Sequence, residues 1–403
     1  MNSETIIYCI FAFILGILVF HMLKYVCGCK VIEGLQNQSC NIDSDFIKIN
    51  DRYYKEWNIG NSNITDVLIL YYHGYNNCPN QIEPYIDGIE EFVNEEYSGI
   101  KITIASLLGN NYNGTSSWNI SNYPNNFDPD FSFGTGYGIN NKNLNTCINS
   151  DTDAINGNFG TNNPGTDCQD NFTYNGCRWT SCSNDILFTR NVIDKYKYNN
   201  PNLKVYAIGF STGAMFVYTL PNFISDINKI VTFAGNIPFG LLVPKSDTSI
   251  LDFHGNEDYT VPGITSSKKQ KHNCSIKNKN TINFMVKYLN NNYNINIDVN
   301  NLKDHYICDT DSHKYLYHNT NDLLIKISGN NSQIIDINNI NNIINSLNYI
   351  DKDNSNITKI YKYNNNVYSI EWSGGHGIPI INNNNTNDST PFNMAIEFFL
   401  NSF

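Results

Sequence analysis

The segment KVYAIGFSTGAMFVY, residues 204–218, constrains the fold more than any other part of the chain. An apolar run ends at the letters GFSTG, and a second apolar run follows directly. The first run has the length and composition of a buried strand, and the second has those of a helix. Glycines, which lack a Cβ atom, allow a tight turn between the two. The segment therefore predicts a strand–turn–helix unit that projects Ser211 from the edge of a sheet.

The spacing of Gly209, Ser211 and Gly213 is the G-x-S-x-G pattern of a nucleophile elbow. A serine hydroxyl is a weak nucleophile unless a base accepts its proton and an acid orients that base. An ordinary turn between a strand and a helix is the alternative explanation of the glycines. The elbow interpretation therefore requires an acid and a base elsewhere in the chain.

A candidate acid lies in the segment HGNEDYTVP, residues 254–262, which follows a predicted strand. Asp258 occupies the loop where an orienting carboxylate is expected. Glu257 and Asp252 are the alternatives for this role, and a turn-forming aspartate without a catalytic role is the simpler explanation.

A candidate base lies in the segment GGHG, residues 374–377, which also follows a predicted strand. A turn made largely of glycine exposes the histidine side chain between them, so His376 is poorly placed for packing in a core. We predict that His376 is the base, and a loop histidine without a catalytic role is the alternative.

Two backbone N–H groups are predicted to form an oxyanion hole, which stabilises the negative charge that develops on the substrate. Thr212 directly follows the nucleophile and supplies the first donor. Tyr75 ends the segment YYHGY after an early strand and supplies the second. His73 in that segment is a rival base, but because it precedes Ser211 in the chain we expect it to brace the loop.

Taken in order, these segments resemble the polyhydroxybutyrate depolymerase and feruloyl esterase branch of the α/β-hydrolases. The segments that carry the resemblance are HGYNNC (73–78), SNDILFTRNVID (183–194), KVYAIGFSTGAM (204–215), HGNEDYTVP (254–262), WSGGHGIP (372–379) and the closing FNMAIEFFLNSF. The resemblance implies that Ser211 is the nucleophile, Asp258 the acid and His376 the base. It also implies a small-molecule or polymeric ester as substrate, with no metal or organic cofactor.

Several features depart from that branch and leave the substrate open, among them the 109–183 insertion and the N-terminal anchor. Thr212 stands where the branch often has asparagine, and a long Asn-rich segment separates Asp258 from His376. A peptidase or an acyltransferase with the same three residues is a further alternative. A catalytically inactive structural or binding protein on a hydrolase scaffold is the competing hypothesis, because fold alone does not guarantee activity.

The predicted fold class is α/β, an α/β-hydrolase fold with a mostly parallel central sheet, flanking helices and long loop insertions rich in Asn and Cys. The insertions are expected at about 109–183 and 294–356. Strands are predicted at 66–72, 100–107, 203–208, 249–253, 357–363 and 367–372, and helices at 82–96, 185–196, 280–293 and from 388 onward.

The N-terminal segment IIYCIFAFILGILVFHML, residues 6–23, is predicted to be an uncleaved membrane anchor, at the lower length limit for a spanning helix. A cleaved signal peptide is the alternative, but no basic region precedes the segment and no small-residue cleavage site follows it. We therefore expect an anchor and its flank at residues 1–30 and a hydrolase domain at residues 31–403.

The orientation in the membrane is left open by two conflicting signals. Lys24 and Lys30 follow the apolar segment and favour a cytoplasmic domain. Eight of the eleven cysteines follow residue 39, mostly in loop-like sequence, which is typical of structural disulfides in an oxidising compartment. We favour the oxidising compartment, with a virion as one such location.

The charge of the chain argues against nucleic acid as a partner. The net charge is −11 and no basic stripe is present, so nucleic acid is not an expected partner. Heavy use of Asn and Ile is typical of AT-rich genomes such as those of giant DNA viruses or protists. The cluster between His305 and His318 has no zinc-like spacing, and no metal site is predicted.

Overall fold

A mixed β-sheet whose middle strands all run parallel organises the protein. The computed structural model describes residues 40–118, 184–236, 244–263, 324–335, 356–381 and 388–400, apart from isolated positions in these ranges, together with three short strands between 275 and 317. The described residues lie within one compact unit, Asn37–Phe403.

Ten of the described strands form this sheet, in the order β1-β2-β4-β3-β7-β8-β9-β15-β14-β13. In chain order the strands are β1 (Ile47–Ile49), β2 (Arg52–Ile59), β3 (Val67–Tyr72), β4 (Ile102–Leu107), β5 (Asn110–Tyr112), β6 (Thr115–Ser117), β7 (Lys204–Phe210), β8 (Ile227–Phe233), β9 (Ser249–Gly255), β10 (Ser275–Ile276), β11 (Tyr306–Thr310), β12 (His313–Tyr317), β13 (Gln333–Ile335), β14 (Ile357–Lys362) and β15 (Val367–Trp372). The six strands from β4 to β15 pair in parallel, and antiparallel strands extend the sheet at both edges.

Helices cover both faces of the sheet. They are α1 (Ile86–Glu96), α2 (Asp185–Lys197), α3 (Thr212–Val217), α4 (Leu220–Phe223) and α5 (Thr390–Leu400), and a 3₁₀ helix at Pro79–Tyr85 precedes α1. Apolar residues of α2, α3 and α4 pack in one hydrophobic cluster, and those of α1 and α5 pack in a second. The carboxyl edge of the sheet between these layers is left for loops, which is where open α/β sheets bind ligands.

Strand β3 shows why a central parallel strand can be a continuous apolar run. Leu68, Leu70 and Tyr72 contribute to the first cluster, whereas the alternate residues Ile69 and Tyr71 contribute to the second. Successive side chains of a strand point to opposite faces, so a strand covered on both sides can bury apolar side chains at every position. All six residues of β3 are buried.

Most predicted elements in the described regions are confirmed. The strands expected at 66–72, 100–107, 203–208 and 249–253 are β3, β4, β7 and β9, and the expected hairpin is the antiparallel pair β14 and β15. Strand β8 was not predicted. The helix expected from residue 82 begins as a 3₁₀ turn and becomes α-helical only at Ile86, after Pro84, because a proline ring is not tolerated inside an α-helix. The helix expected at 280–293 lies outside the described residues.

The first residues of the predicted insertion at 109–183 enter the core. β5 and β6 pair as an antiparallel hairpin, and Trp118 follows them with no exposed surface. The Trp118 ring stacks on Phe216 at 5.7 Å and meets the Tyr72 ring edge-on at 5.0 Å. Residues 119–183, like most of the insertion at 294–356, lie outside the described residues.

The N-terminal region and the cysteines are covered only in part. The predicted anchor at residues 6–23 lies outside the described residues, and among those described no helix has the length and apolar character to cross a membrane. Cys40 and Cys78 form a disulfide with a Cα–Cα separation of 5.7 Å, within the usual range. The other six cysteines after residue 39 have no described side chains.

We predict that the Cys40–Cys78 disulfide stabilises the domain by up to about 4 kcal/mol, because it closes a loop of 38 residues and restricts the unfolded chain. Urea unfolding of the oxidised protein and of a Cys40→Ser/Cys78→Ser variant measures the difference. Equal free energies of unfolding would contradict a stabilising cross-link.

Candidate active site

Ser211 lies on a sharp turn between β7 and α3. Its backbone has φ 53° and ψ −118°, a conformation that non-glycine residues rarely adopt and that costs about 1–3 kcal/mol. The turn brings α3 close to the end of β3. A Cβ atom on Gly213 would lie 2.1 Å from the Tyr72 carbonyl oxygen, so only glycine fits there. The glycines of the sequence pattern thus serve a close backbone approach, and the serine carries the strain.

Three side chains predicted from the sequence meet at this turn. The His376 Nε2 atom lies 2.8 Å from Ser211 Oγ, and the His376 Nδ1 atom lies 2.8 Å from Asp258 Oδ2. A carboxylate only accepts hydrogen bonds, so Nδ1 carries the hydrogen and Nε2 presents its lone pair to the hydroxyl. Both distances suit hydrogen bonds that transfer or orient a proton.

The order of these residues along the sheet decides the fold family. Ser211 follows β7, Asp258 follows β9 and His376 follows β15, so all three come from the carboxyl ends of parallel strands. The serine turn leads from a strand directly into a helix, as a nucleophile elbow requires. The chain has the α/β-hydrolase fold.

Solved structures with low similarity to this chain include Est1E from Butyrivibrio proteoclasticus with ferulic acid, at 13% identity and a TM-score of 0.28 over 60% of this chain and 84% of that one. A Bacillus cereus carboxylesterase has 14% identity and a TM-score of 0.29, over 52% and 73%. YahD with malic acid has 15% identity and a TM-score of 0.27, over 60% and 84%. The chain matches no protein-family model and no curated protein sequence. The fold assignment rests on the sheet order and the elbow.

Asp258 is placed to orient His376, and its rivals are not. Its Oδ1 atom accepts hydrogen bonds from the backbone N–H groups of Thr260 and Val261, both at 2.8 Å. Burial raises the pKa of this carboxyl, but the charge and hydrogen bonds of His376 and His254 outweigh burial and hold the pKa well below its usual range. The carboxylate is therefore ionised. Glu257 is exposed.

The loops of the acid and the base are joined by backbone contacts. The Asn256 N–H donates to the Trp372 carbonyl at 2.9 Å, and the Glu257 N–H donates to the Gly374 carbonyl at 2.8 Å. A Cβ atom on Gly255 would lie 2.3 Å from the Gly374 oxygen. These contacts set the separation of Asp258 and His376, although a long segment divides them in sequence.

The loop predicted to supply an oxyanion donor passes directly over the nucleophile. A Cβ atom on Gly74 would lie 3.3 Å from Ser211 Cβ and 2.8 Å from the Phe210 ring. Tyr75 follows Gly74, so its backbone lies beside the serine. Thr212 is the first residue of α3, where backbone N–H groups have no acceptor within the helix. The assignment of both N–H groups to an oxyanion hole stays a prediction.

His73 braces this loop, as expected, and its side chain makes no hydrogen bond to Ser211. Its Nε2 atom accepts from the Gly109 N–H at 2.9 Å, so its Nδ1 atom carries the hydrogen and donates to the Gly74 carbonyl at 2.7 Å. The Trp118 indole N–H donates to the His73 carbonyl at 2.7 Å. Burial lowers the pKa of His73 to about 4, so the ring is neutral.

Two supports of this loop were not predicted. Gln81 Oε1 accepts from the Gly74 N–H and the Tyr71 hydroxyl, both at 3.1 Å. Trp118 holds the His73 carbonyl from a segment that was expected to lie in a surface insertion. Neither has a sequence signal, because an isolated glutamine or tryptophan matches no motif.

Asp252 belongs to a separate buried cluster under the site. Its Oδ1 atom accepts from Thr232 Oγ1 at 2.8 Å and from the Tyr218 hydroxyl at 3.2 Å, and its Oδ2 atom accepts from Ser369 Oγ at 2.9 Å. Burial raises the pKa of this carboxyl. Hydroxyl groups on three neighbouring elements therefore bind Asp252, and His376 is not among its hydrogen-bond partners.

Within the part of the chain whose side chains are described, no group of acidic, histidine and cysteine side chains is arranged to hold a metal ion. The cluster between His305 and His318, considered above as a metal site, has no described side chains.

We predict that Ser211→Gly is more stable than Ser211→Ala by about 1 kcal/mol, because glycine relieves the backbone strain and both variants lose the hydroxyl. Thermal or urea unfolding measures the difference. Glu90 provides a matched control, since it is exposed inside α1 and alanine should be the more stable replacement there. Equal stability of the two Ser211 variants would contradict strain at the elbow.

We predict that His73 makes stability fall as pH decreases from about 6.5 to 4. Its folded pKa of about 4 lies below the unfolded value, so its contribution is complete above pH 6.5 and is lost as the ring becomes protonated. The full change is about 3 kcal/mol. Urea unfolding across this range should show a steeper decline for wild type than for His73→Gln, and parallel curves would contradict the prediction.

Proposed function

We propose that this protein is a serine hydrolase that cleaves carboxylic esters, with Ser211 as nucleophile, His376 as general base and Asp258 as the orienting acid. The observation that supports the proposal is the unbroken hydrogen-bond chain from Ser211 Oγ through the His376 ring to the buried Asp258 carboxylate. Such a chain lets a hydroxyl lose its proton as it attacks a carbonyl carbon.

In the acylation step, Ser211 Oγ forms a bond to the ester carbonyl carbon while its proton passes to His376 Nε2. The negative charge moves to the former carbonyl oxygen, which the backbone N–H groups of Thr212 and Tyr75 would stabilise. The tetrahedral intermediate then expels the alcohol, and His376 returns the proton to the leaving oxygen. The product of this step is an acyl-enzyme on Ser211.

In the deacylation step, a water molecule gives a proton to His376 Nε2 as it attacks the acyl carbon. Collapse of the second tetrahedral intermediate releases the carboxylic acid and restores the Ser211 hydroxyl. Asp258 stays ionised throughout, because its backbone and histidine donors stabilise the anion. Apart from the ester and the water molecule, both steps use only groups of the chain.

The competing hypothesis is an inactive scaffold, and enzymes that have lost activity often lose one of the catalytic residues. Instead, the two hydrogen bonds join the three residues, and the strained Ser211 backbone is retained. Strain of this kind persists at functional sites, whereas an ordinary turn has no need of it. These observations favour the enzyme. An acyltransferase or a peptidase would use the same steps with a different acceptor or acyl donor.

The resemblance noted in the sequence suggests aromatic or polymeric esters as the substrate class. The proposal also includes a membrane tether at residues 6–23 and an oxidising compartment for the hydrolase domain, such as a virion, which the Cys40–Cys78 pair favours. Protein isolated from its native membrane with both of these thiols free would contradict that location.

We predict stoichiometric labelling of Ser211 by a fluorophosphonate probe, and hydrolysis of p-nitrophenyl or feruloyl esters. Ser211→Ala should abolish labelling and lower kcat/KM by about 10³-fold or more, since the nucleophile is removed. Intact-mass spectrometry and an ester panel measure both effects.

Ser62→Ala is the control, because the Ser62 hydroxyl bonds only to the nearby Ile64 backbone among the described contacts, and it should label like wild type. A folded wild-type protein that the probe does not label would contradict the proposed function.

A further inference from the structure

His254 is a buried histidine that the proposed reaction does not use. It lies within β9, four residues before Asp258, and 2% of its surface is exposed. Its Nε2 atom lies 2.8 Å from the Val261 carbonyl oxygen and 3.5 Å from Asp258 Oδ2. A carbonyl oxygen only accepts, so Nε2 carries a hydrogen. The same nitrogen lies near the carboxylate oxygen that binds His376. This hydrogen is present in the neutral ring as well as in the charged ring.

The loop of the acid wraps around this ring. Val261 accepts the ring hydrogen, Asp258 lies beside it, and a Cβ atom on Gly263 would lie 2.4 Å from the ring. The backbone N–H groups of Thr260 and Val261 in turn hold Asp258. The His254 ring therefore packs against several residues of this loop.

Two buried carboxylates flank His254, and among the described residues no lysine or arginine pairs with either. Asp258 lies on one side, and Asp252 precedes His254 by two positions, on the same face of β9. Neither aspartate has exposed surface. Removing carboxylates from water is costly unless a cation compensates, and a protonated His254 supplies that cation.

The other titratable groups around His254 do not reverse this conclusion. Glu371, its register partner on β15, is bound by Thr358 and lies 3.8 Å from Lys359. Glu257 is exposed, and the Tyr218 hydroxyl is bound to Asp252. Among the described residues the remaining group is His376, which contacts the same oxygen of Asp258.

The balance of these effects favours the charged ring. Burial alone would lower the pKa of His254, but the contact with Asp258 and the charges of Asp252 and Asp258 outweigh burial and raise the pKa to about 9. The Nδ1 atom makes no hydrogen bond within the described part of the chain. A charged ring carries a hydrogen on this atom without an acceptor, which costs more than an unpaired lone pair. The attraction of the two carboxylates opposes that cost.

We propose that His254 is a positioning residue that holds a fixed positive charge against Asp258. It contacts neither Ser211 nor a substrate and acts only through Asp258. The proposal rests on the proposed function insofar as it concerns catalysis, because Asp258 is there the acid that orients His376.

The charge has a consequence for the base. The bound nitrogens of His254 and His376 lie within about 6 Å of each other, since both contact Asp258 Oδ2. A positive His254 partly neutralises Asp258 and repels a second positive charge on His376. Loss of the His254 charge would remove this repulsion and favour the protonated, inactive form of the site.

The charge state can be measured directly on the full-length protein by ¹⁵N NMR of labelled histidine side chains. At pH 7, His254 should show two protonated ring nitrogens, and it should lose a proton only near pH 9. The signal is assigned by its loss in His254→Gln, or through the Nε2 hydrogen bond to Val261 if that variant does not fold. One unprotonated ring nitrogen at pH 7 would overturn the proposal.

The catalytic consequence is tested by a matched pair of variants, His254→Gln and His254→Lys. Glutamine keeps a donor for the Val261 carbonyl but loses the charge, so the acid limb of the kcat/KM profile should move to higher pH by about one unit. Lysine keeps the charge and should leave the limb close to its wild-type position. A uniform loss of activity in both variants, with the limb unmoved, would show a merely structural role and overturn the proposal.

The outcomes also separate this proposal from the proposed function. If wild type reacts with neither the fluorophosphonate probe nor any ester, the proposed function fails. The NMR measurement still decides whether His254 is charged. If wild type is active and His254 is neutral, only the present proposal fails.

Discussion

The hydrogen bond between Asp258 and His376 is the interaction on which the site depends. It joins a fully buried carboxylate to a ring that also meets Ser211, and it fixes which ring nitrogen is free to accept a proton. The bond can form only because two parallel strands, β9 and β15, end side by side and their loops share backbone hydrogen bonds. The sheet therefore acts as the frame that gives three distant parts of the chain a common position.

Residues around this edge of the sheet hold the loop over the strained Ser211 backbone and the charged Asp258 carboxylate in place. A neutral His73 and Gln81 hold the loop above Ser211, while backbone N–H groups and His254 hold Asp258 below it. The pKa values of the two buried histidines are shifted in opposite directions. Burial lowers the pKa of His73, whereas neighbouring carboxylates outweigh burial and raise the pKa of His254. The same residue type thus serves as a neutral brace in one loop and as a counter-charge in the other.

How far each feature could be predicted depended on whether its cause is local. Strand β3 and the Ser211 turn were predictable, because apolar runs and glycine spacing act over a few residues. Strand β8 was missed, and the start of α1 was misplaced because a proline decides where a 3₁₀ turn gives way to an α-helix. Trp118 lies in sequence that looks like a polar surface loop, and only its contacts with Tyr72 and Phe216 make it part of the core.

By itself the sequence determined the fold class, the elbow and a short set of candidate acids and bases, because these follow from local periodicity and residue type. Only the tertiary structure decided which candidates meet. Asp252, Glu257 and Asp258 are indistinguishable as carboxylates, but one is bound by hydroxyl groups, one faces solvent and one reaches His376. The physical reason is that a hydrogen bond acts over about 3 Å, and chain packing alone determines which side chains come within that distance.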